Sequence, residues 1–261
     1  MKIGVFDSGL GGLTILKAIV ELLPQYDYEF YGDTANLPYG DKTEEQIYNL
    51  TKIGVESLFE KDCQIIIIAC NTASAETLRR LQDTYLVENY PDRRILGVII
   101  PTIESLIEAK VAKTFLIGTE RTVSSGKYQK ELDKFSRKPI LYKEATPLLV
   151  PLIEDGQLEL ALTAVFASVD ESLVNSIDSI ILGCTHYTVL KEGVRNRYQE
   201  KIKVFSQDEI VPAKLADYLT NHPEHRSKLT TNGTRNIKLT KHQPAYDSVI
   251  ETLLGGKLLA D

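Results

Sequence analysis

The sequence has little that would place the protein in a membrane or outside the cell. It contains no tryptophan and three cysteines, and no apolar stretch approaches the roughly 20 residues that a transmembrane helix needs. The cysteines are widely spaced, which is typical of reduced thiols in a cytosolic protein and not of a disulfide framework. Because the strand-like segment KIGVF begins at Lys2, a signal peptide is not expected. We therefore expect a soluble, cytoplasmic protein with no membrane contact.

Positive charge and nucleotide signatures are also scarce. The net charge is −6 and the pI is about 5.4, so a nucleic-acid partner is not expected. The glycines of FDSGLGGL, residues 6–13, do not form a dinucleotide fingerprint, because Thr14 stands where G-x-G-x-x-G needs its last glycine. A phosphatase-type loop is excluded as well, since Glu76 stands where such a loop needs arginine six residues after Cys70.

Strand-like and helix-like segments alternate along the chain. KIGVF is followed by GLTILKAIVELL, YEFYG by EEQIYNLTKIGVESLF, and QIIIIA by TASAETLRRLQ. The alternation predicts an α/β fold with two doubly wound, mainly parallel-sheet domains that face each other across a cleft. Breaks near 97–101 and 206–212 predict a discontinuous first domain, residues 1–97 plus 207–261, and a second domain, residues 98–206. A strand near Ile237 and a closing helix from about Pro244 to Leu254 are expected to rejoin the first sheet.

The segment IIIIACNTAS, residues 65–74, places a cysteine between a strand and a helix. Four consecutive isoleucines predict a central parallel strand that is buried on both faces. TASAETLRRLQ has helix formers at helical spacing, with Asn71 or Thr72 as its N-cap. Cys70 is therefore expected in the turn, where the helix N-terminus should lower the pKa of its thiol below the usual value of about 8.5.

SIILGCTH, residues 179–186, repeats the same pattern of apolar strand, small residue, cysteine and hydrogen-bonding pair. In an open parallel sheet, ligands bind beyond the carboxyl ends of the strands. If the two halves face each other, Cys70 and Cys184 face each other too. The alternative is that both are small buried hydrophobic residues. Cys63 lies at the opposite end of its strand, away from any cleft, and is interpreted as structural.

Three further turns carry candidate site residues: Asp7 with Ser8, Tyr39 with Gly40, and Thr119 with Thr122. Asp7 could cap a helix, or it could be a buried carboxylate that orients a neighbouring base. The YGDTANLPYG segment, residues 31–40, could present a backbone amide to a carboxylate or form a proline turn with packing tyrosines. The two threonines of GTERTV are either helix caps or anion contacts.

His186 follows Cys184 by two residues and could assist proton transfer at that thiol. A zinc site is the competing interpretation, but one Cys-x-His without a second close pair lacks zinc spacing. An acyl-transfer nucleophile would use one cysteine and leave the other unexplained. Two facing thiols with polar neighbours suit a different reaction, in which a proton leaves one face of a carbon atom and another returns to the opposite face.

Together these motifs resemble the glutamate racemases, of the cofactor-independent aspartate/glutamate racemase superfamily. The segments that carry the resemblance are FDSGLGGL, YGDTANLPYG, ACNTAS, GVIIP, GTERTVSSGKY, VPLIE and GCTHY, in that order over nearly the whole chain. In this respect the sequence resembles the glutamate branch of the superfamily: His186 lies two residues after the second cysteine, where aspartate racemases usually carry glutamate. The resemblance implies interconversion of L- and D-glutamate, which supplies D-glutamate for peptidoglycan, without pyridoxal phosphate, another cofactor or a metal.

The resemblance also implies roles for individual residues. Cys70 and Cys184 would be acid/base residues on opposite faces of the α-carbon, assisted by Asp7 and His186 respectively. The positions that match substrate-binding residues are Asp7, Ser8, Tyr39, Gly40, Asn71, Thr72, Thr185 and His186, with Thr119 and Thr122 as further candidates. Asp33 and Glu154 match a second tier of acidic positions whose roles are less settled.

The chain departs from the family pattern at two positions. Thr188 stands where the family usually has proline, and Gln207 replaces a small residue in a Ser-Gly/Ala-acidic turn. Neither is an expected acid or base, so the departures bear on specificity and rate more than on the class of reaction. The alternatives that remain are a racemase of the same mechanism acting on aspartate or another amino acid, and a non-catalytic binding protein. A homodimer is expected because family members are often dimers.

Overall fold

The structure is a computed structural model that describes residues 1–169, 171–244, 246, 247 and 250. Within these residues the strands are β1 Lys2–Asp7, β2 Tyr28–Gly32, β3 Cys63–Ile68, β4 Arg94–Gly97, β5 Lys113–Gly118, β6 Ile140–Ala145, β7 Ser179–Gly183, β8 Lys203–Phe205 and β9 Arg235–Leu239. The α-helices are α1 Gly12–Leu22, α2 Glu44–Glu60, α3 Asn71–Arg80, α4 Val87–Asn89, α5 Ile99–Glu108, α6 Glu120–Ser124, α7 Lys127–Leu132, α8 Leu149–Glu154, α9 Leu158–Ser168, α10 Glu171–Val174, α11 Lys191–Tyr198, α12 Gln207–Asn221 and α13 Pro223–Arg226. Most of the predicted closing helix, from about Pro244 to Leu254, lies outside the described residues.

The strands form two parallel sheets. The first sheet has the order β4-β3-β1-β2-β9 and the second has the order β6-β5-β7-β8, and every pairing is parallel. The predicted fold class is therefore confirmed. The strand around Ile237 pairs with β2 of the first sheet, while the domain boundaries at 97/98 and 206/207 stay a prediction.

Each sheet has a point at which the direction of strand addition reverses. The chain passes from β1 to β2 on one side and then places β3 on the other side of β1; β5, β6 and β7 repeat the arrangement. A crevice opens beyond the carboxyl ends of the strands at such a switch point. Cys70 follows β3 and Cys184 follows β7, so each cysteine lies at the switch point of its sheet.

Helices cover both faces of each sheet, which explains the uniformly apolar central strands. All six residues of β3 and all five residues of β7 are buried. On the first sheet, one face packs against α1 and α12 and the other against α2 and α3. On the second sheet, α8, α9 and α11 pack on one face and α5 and α7 on the other. Over the part of the chain that the structure describes, no helix combines the length and apolarity needed to span a bilayer.

Candidate active site

One cavity of about 440 Å³ lies between the carboxyl ends of the two sheets and brings the two cysteine turns together. The predicted residues that line it are Ser8, Tyr39, Gly40, Cys70, Asn71 and Thr72 from the first sheet's side, and Thr119, Glu154, Cys184, Thr185 and His186 from the second sheet's side. Asp7, Thr122 and Asp33 contact lining residues from behind. The cavity is therefore built from turns that are far apart in the sequence.

Cys70 lies in the strand-to-helix turn, as expected, but it is itself the N-cap of α3, so the prediction that Asn71 or Thr72 caps this helix is wrong. Its sulfur accepts hydrogen bonds from the Ser8 hydroxyl at 3.2 Å and from the Ala73 backbone N–H at 3.4 Å. The prediction that the pKa of the Cys70 thiol falls is wrong. Burial raises the pKa of the Cys70 thiol to about 12, helped by the charges of Asp7 and Cys184 and opposed by the bonds from Ser8 and Ala73. Removal from water outweighs the helix N-terminus here, so Cys70 is a protonated thiol.

Cys184 begins the second turn and is linked to a histidine and a carboxylate. Its sulfur lies 3.8 Å from Nδ1 of His186, and Nε2 of the same ring lies 3.0 Å from Oε1 of Glu154. Burial lowers the pKa of His186, but the hydrogen bonds to Cys184 and Glu154 outweigh burial and raise the pKa to about 10. The ring is therefore held as a cation beside the Cys184 sulfur at neutral pH.

Asp7 lies at the end of β1 with no part of its surface exposed. Its Oδ2 accepts the Gly9 N–H at 3.0 Å, and its Oδ1 accepts the Thr185 hydroxyl at 3.5 Å. Burial raises the pKa of the Asp7 carboxyl. The charge of His186, and the hydrogen bonds that the carboxyl accepts from the surrounding turns, lower the pKa in part. Asp7 thus contacts the turn that carries Cys184, although it also lies near enough for its charge to act on Cys70.

The raised pKa of Asp7 makes a stability prediction. A carboxyl whose folded-state pKa lies above its unfolded value contributes stability below the unfolded pKa and loses that contribution as pH rises through the folded pKa. The ionised carboxylate therefore costs stability at pH 8, and Asp7→Asn should raise the melting temperature there by on the order of a few degrees. Thermal melts at pH 8 and at pH 5 measure this. A gain in melting temperature that is as large at pH 5 as at pH 8 would contradict the raised pKa of Asp7.

Three threonines join the two sides of the cavity. The Thr72 hydroxyl lies 2.9 Å from that of Thr119 and 3.3 Å from that of Thr122, and the latter two are 2.9 Å apart. Thr119 also caps α6 by accepting the Thr122 N–H at 3.2 Å. The helix-cap interpretation is therefore confirmed for Thr119, while an anion contact of the GTERTV threonines stays a prediction.

Tyr39 is held in the cavity wall by Asp33. The tyrosine hydroxyl donates to Asp33 Oδ2 at 2.7 Å, and Asn36 and Thr240 donate to the same carboxylate. Burial and this hydrogen bond raise the pKa of Tyr39, so its hydroxyl stays neutral. Asp33 thus fixes the turn that contains Tyr39 and Gly40, and it acts on the cavity through them.

The turn after β7 packs tightly against the glycine turn after β1. A Cβ atom at Gly11 would lie 2.4 Å from the Thr185 hydroxyl oxygen and 2.8 Å from His186 Nδ1. At the neighbouring Gly9, a Cβ would meet only the flexible end of Leu37 at 3.2 Å. Glycine at position 11 is therefore what allows the Cys184 turn to approach Asp7.

Some lining residues were not predicted. Thr146 follows β6, Tyr187 follows His186, and Val150, Pro151 and Asp155 come from α8 and the turn after it. Thr146 could have been found by the rule used elsewhere, because it directly follows the strand-like PILYKEA. Val150 and Pro151 belong to the VPLIE segment that supplied Glu154, but the strand-end rule does not reach them, since a helix packed over a strand end is a tertiary feature. Over the residues described, no cluster of three or more His, Cys, Asp or Glu side chains is arranged to hold a metal ion.

Comparison with known proteins identifies the family to which the chain belongs. A sequence model described as Asp/Glu/Hydantoin racemase matches residues 3–207. The chain belongs to that racemase family. It is similar to a glutamate racemase of Dinoroseobacter shibae, with 40% identity over 240 residues that cover 86% of each chain.

Solved structures of the same racemase family share the fold. A glutamate racemase isoform from Bacillus anthracis has a TM-score of 0.86 at 29% identity, over 97% of this chain and 94% of that one. The glutamate racemase of Francisella tularensis, in complex with D-glutamate, has a TM-score of 0.83 at 27% identity, over 97% and 93% of the two chains. The resemblance that the motifs indicate is thereby confirmed.

Both departures from the racemase pattern make side-chain contacts near the cavity. The Thr188 hydroxyl oxygen lies 3.1 Å from the Thr14 hydroxyl of α1 and 2.9 Å from the Thr185 carbonyl oxygen, which are two alternative acceptors for its one hydrogen. Gln207 is fully buried and exchanges hydrogen bonds with the Asn71 side chain. Thr188 therefore links the Cys184 turn to the first sheet's side, and Gln207 contacts a residue of the cavity wall.

Proposed function

We propose that this racemase-family chain interconverts L- and D-glutamate by proton transfer between the α-carbon and two thiols, without a cofactor. The observation that carries the proposal is that Cys70 and Cys184 follow the switch-point strands of two different sheets and line one cavity. Relatives named glutamate racemase cover most of the chain, and one solved relative holds D-glutamate. The cavity of about 440 Å³ has room for a small amino acid, and hydroxyl, amide and carboxylate side chains line it.

The proposed reaction is a proton transfer at each face of the substrate. In one direction the Cys184 thiolate takes the α-proton, and the electron pair of the broken C–H bond passes into the carboxylate as an enolate-like anion. The Cys70 thiol then gives its proton to the opposite face, which restores the C–H bond with inverted configuration and leaves Cys70 as the thiolate. The reverse reaction exchanges the two roles.

The protonation states described above suit the first of these directions. Cys70 is a protonated thiol because burial raises its pKa, and the His186 cation lies beside the Cys184 sulfur. A cation at this distance offsets the negative charge that the Cys184 sulfur carries during the proposed proton transfer. We assign His186 as the group that assists Cys184, with Glu154 holding the ring, and Asp7 as the buried carboxylate that assists Cys70.

The α-proton of an amino acid is far less acidic than a thiol, so the cavity has to stabilise the anion. We assign Ser8, Tyr39, Gly40, Asn71, Thr72 and Thr185 to binding of the two carboxylates and the ammonium group, with Thr119 and Thr122 as further candidates. Hydroxyls and backbone N–H groups fixed in a cavity that excludes most water can stabilise developing charge without reorganising. The N-terminus of α3, directly after Cys70, adds a favourable dipole.

Glu154→Gln should move the alkaline limb of the kcat/KM profile toward neutral pH. The charge of Glu154 helps to raise the pKa of His186 to about 10, and the ring stays protonated up to that value. Loss of this partner lowers the pKa, so activity should match the wild type at pH 7 and fall about threefold at pH 9, a modest effect because Glu154 is half exposed. Profiles from pH 6 to 10 measure this. Asp155→Asn, a neighbouring charge in the cavity wall, is the control, and an equal shift in both variants would contradict the prediction.

The setting of the protein belongs to the same proposal. D-glutamate made by this chain would supply peptidoglycan synthesis in the cytoplasm. The three cysteines are free in the structure, as expected in a reducing compartment. A homodimer is the expected assembly, and analytical ultracentrifugation that found only monomer at micromolar concentration would contradict it.

The direct test of function is circular dichroism of amino-acid solutions incubated with the pure protein in a chelating buffer. L-glutamate and D-glutamate should both racemise, while L-aspartate should not. The equilibrium constant between mirror images is one, so kcat/KM must be equal in the two directions. Inversion of aspartate alone would keep the mechanism and replace the substrate, and no inversion of any of the three would favour a binding protein.

A further inference from the structure

We propose that Gln207 is a positioning residue that fixes the side chain of Asn71, so that Asn71 meets substrate with a single N–H group. The inference rests on the proposed function, since it concerns the same cavity. Gln207 is the first residue of α12 and has no exposed surface. It stands at a position where the resemblance implies a small residue, which could not form these contacts.

Gln207 and Asn71 form a paired amide contact. Nδ2 of Asn71 donates to Oε1 of Gln207 at 2.6 Å, and Nε2 of Gln207 donates to Oδ1 of Asn71 at 2.9 Å. The two bonds run in opposite directions between the same two side chains. Rotation of either amide by half a turn, with the other unchanged, would oppose donor to donor and acceptor to acceptor. Each amide therefore sets the orientation of the other.

A tyrosine completes the arrangement from the second sheet's side. The Tyr128 hydroxyl donates to Asn71 Oδ1 at 2.8 Å and accepts from Gln207 Nε2 at 3.2 Å. Tyr128 is buried, and it belongs to α7, which packs on the second sheet. The three side chains thus form a buried hydrogen-bonded group that joins α3, α7 and α12, and Nε2 of Gln207 also lies 3.5 Å from the Thr102 hydroxyl of α5.

The group leaves Asn71 with one defined function toward the cavity. Both lone pairs of its Oδ1 are used by Gln207 and Tyr128, and one of its two N–H groups is used by Gln207. Among the described residues, the remaining N–H has no hydrogen-bond partner, and Asn71 lines the cavity. A donor without an acceptor is matched to a carboxylate oxygen, and a rotating amide would offer an oxygen as often as a nitrogen. Gln207 therefore acts through Asn71 to favour an anionic group at this wall.

The test compares Gln207→Met with the wild type and with Asn71→Ala. Methionine keeps the length and most of the volume of glutamine but forms no amide pair. Gln207→Met should raise KM for both glutamate enantiomers on the order of tenfold, the effect of one lost oriented hydrogen bond, with kcat within about threefold. In the Asn71→Ala background, the same substitution should change KM by less than about twofold, because Gln207 acts through Asn71. A KM equal to the wild type, or a full tenfold effect on top of Asn71→Ala, would overturn the proposal.

A second variant and a second readout keep the test independent of folding and of turnover. Tyr128→Phe removes one bond to Asn71 Oδ1 and should raise KM in the same direction by about threefold. Hydrogen exchange of the Asn71 side-chain amide, followed by NMR, should be at least about tenfold faster in Gln207→Met than in the wild type. If the wild type does not act on glutamate, the proposed function fails, and this exchange rate alone decides: equal rates would overturn the positioning of Asn71 by Gln207.

Discussion

Replacement of either Cys70 or Cys184 by serine should lower the rate of glutamate racemisation by at least about 10³-fold while the fold is retained. Serine has nearly the volume of cysteine, but its hydroxyl is far too weak an acid to serve as the thiol or thiolate. General acid–base catalysis by one positioned group is worth about 10²–10⁴ in rate, and each proposed turnover needs both thiols. The double variant should be little slower than either single variant, because the two residues act in one step sequence.

Steady-state rates for both enantiomers, together with far-ultraviolet circular dichroism and thermal melts, measure this effect. Cys63→Ala is the matched control. Cys63 is fully buried at the start of β3, the opposite end of the strand from Cys70, so its removal should leave kcat within about twofold. A serine variant at position 70 or 184 with wild-type activity would eliminate that cysteine as an acid/base residue.

Gly11→Ala should lower kcat by on the order of 10²-fold, although it changes no reacting group. The added Cβ would lie 2.4 Å from the Thr185 hydroxyl oxygen and 2.8 Å from His186 Nδ1, so the Cys184 turn has to move away from α1. A displacement of about 1 Å in a catalytic group can cost 10²-fold in rate. The effect should be on kcat more than on thermal stability, because the clash falls on a turn, namely on its side chains and on the His186 backbone nitrogen at 3.0 Å, and not on a strand core.

Gly9→Ala tests whether the position of the added methyl group matters. Both glycines belong to the same turn, but at Gly9 the new atom meets the flexible end of Leu37 at 3.2 Å. Its activity should stay within about threefold of the wild type. Equal losses in the two alanine variants would mean that the turn needs glycine for its backbone, and would remove the contact with Thr185 and His186 as the explanation.

The main architecture could be predicted because each element carries its own signal. The isoleucines of β3 are buried on both faces of a central strand, and such burial requires a continuous apolar run in the sequence. Polar residues that follow such strands, among them Cys70 and Cys184, are placed at one edge of a parallel sheet by strand direction alone. The prediction that both cysteine turns line one cavity required one further assumption, namely that two similar units face each other.

The contacts that decide protonation and orientation could not be predicted, because they are tertiary. The place of Cys70 at a helix N-terminus predicts a lowered pKa, but burial, together with the charge of Asp7, raises it. The hydrogen bond between Glu154 and His186 joins residues 32 positions apart, on α8 and on the turn after β7. The sequence marks Gln207 only as a departure from the family pattern. Its partner Asn71 is 136 positions away, and no periodicity in the sequence connects the two.

Deuterium incorporated from solvent at the α-carbon distinguishes proton transfer by two thiols from proton transfer by a single group. The pure protein is incubated with L-glutamate in deuterated water, and the two enantiomers are separated and analysed by mass spectrometry while conversion is below about a tenth. Because the donor thiol has exchanged with solvent, the D-glutamate formed should carry deuterium at the α-carbon while the remaining L-glutamate keeps protium, and the mirror result should hold when D-glutamate is the substrate. Product that retains protium, or early label in both enantiomers, would show that a single group removes and returns the proton.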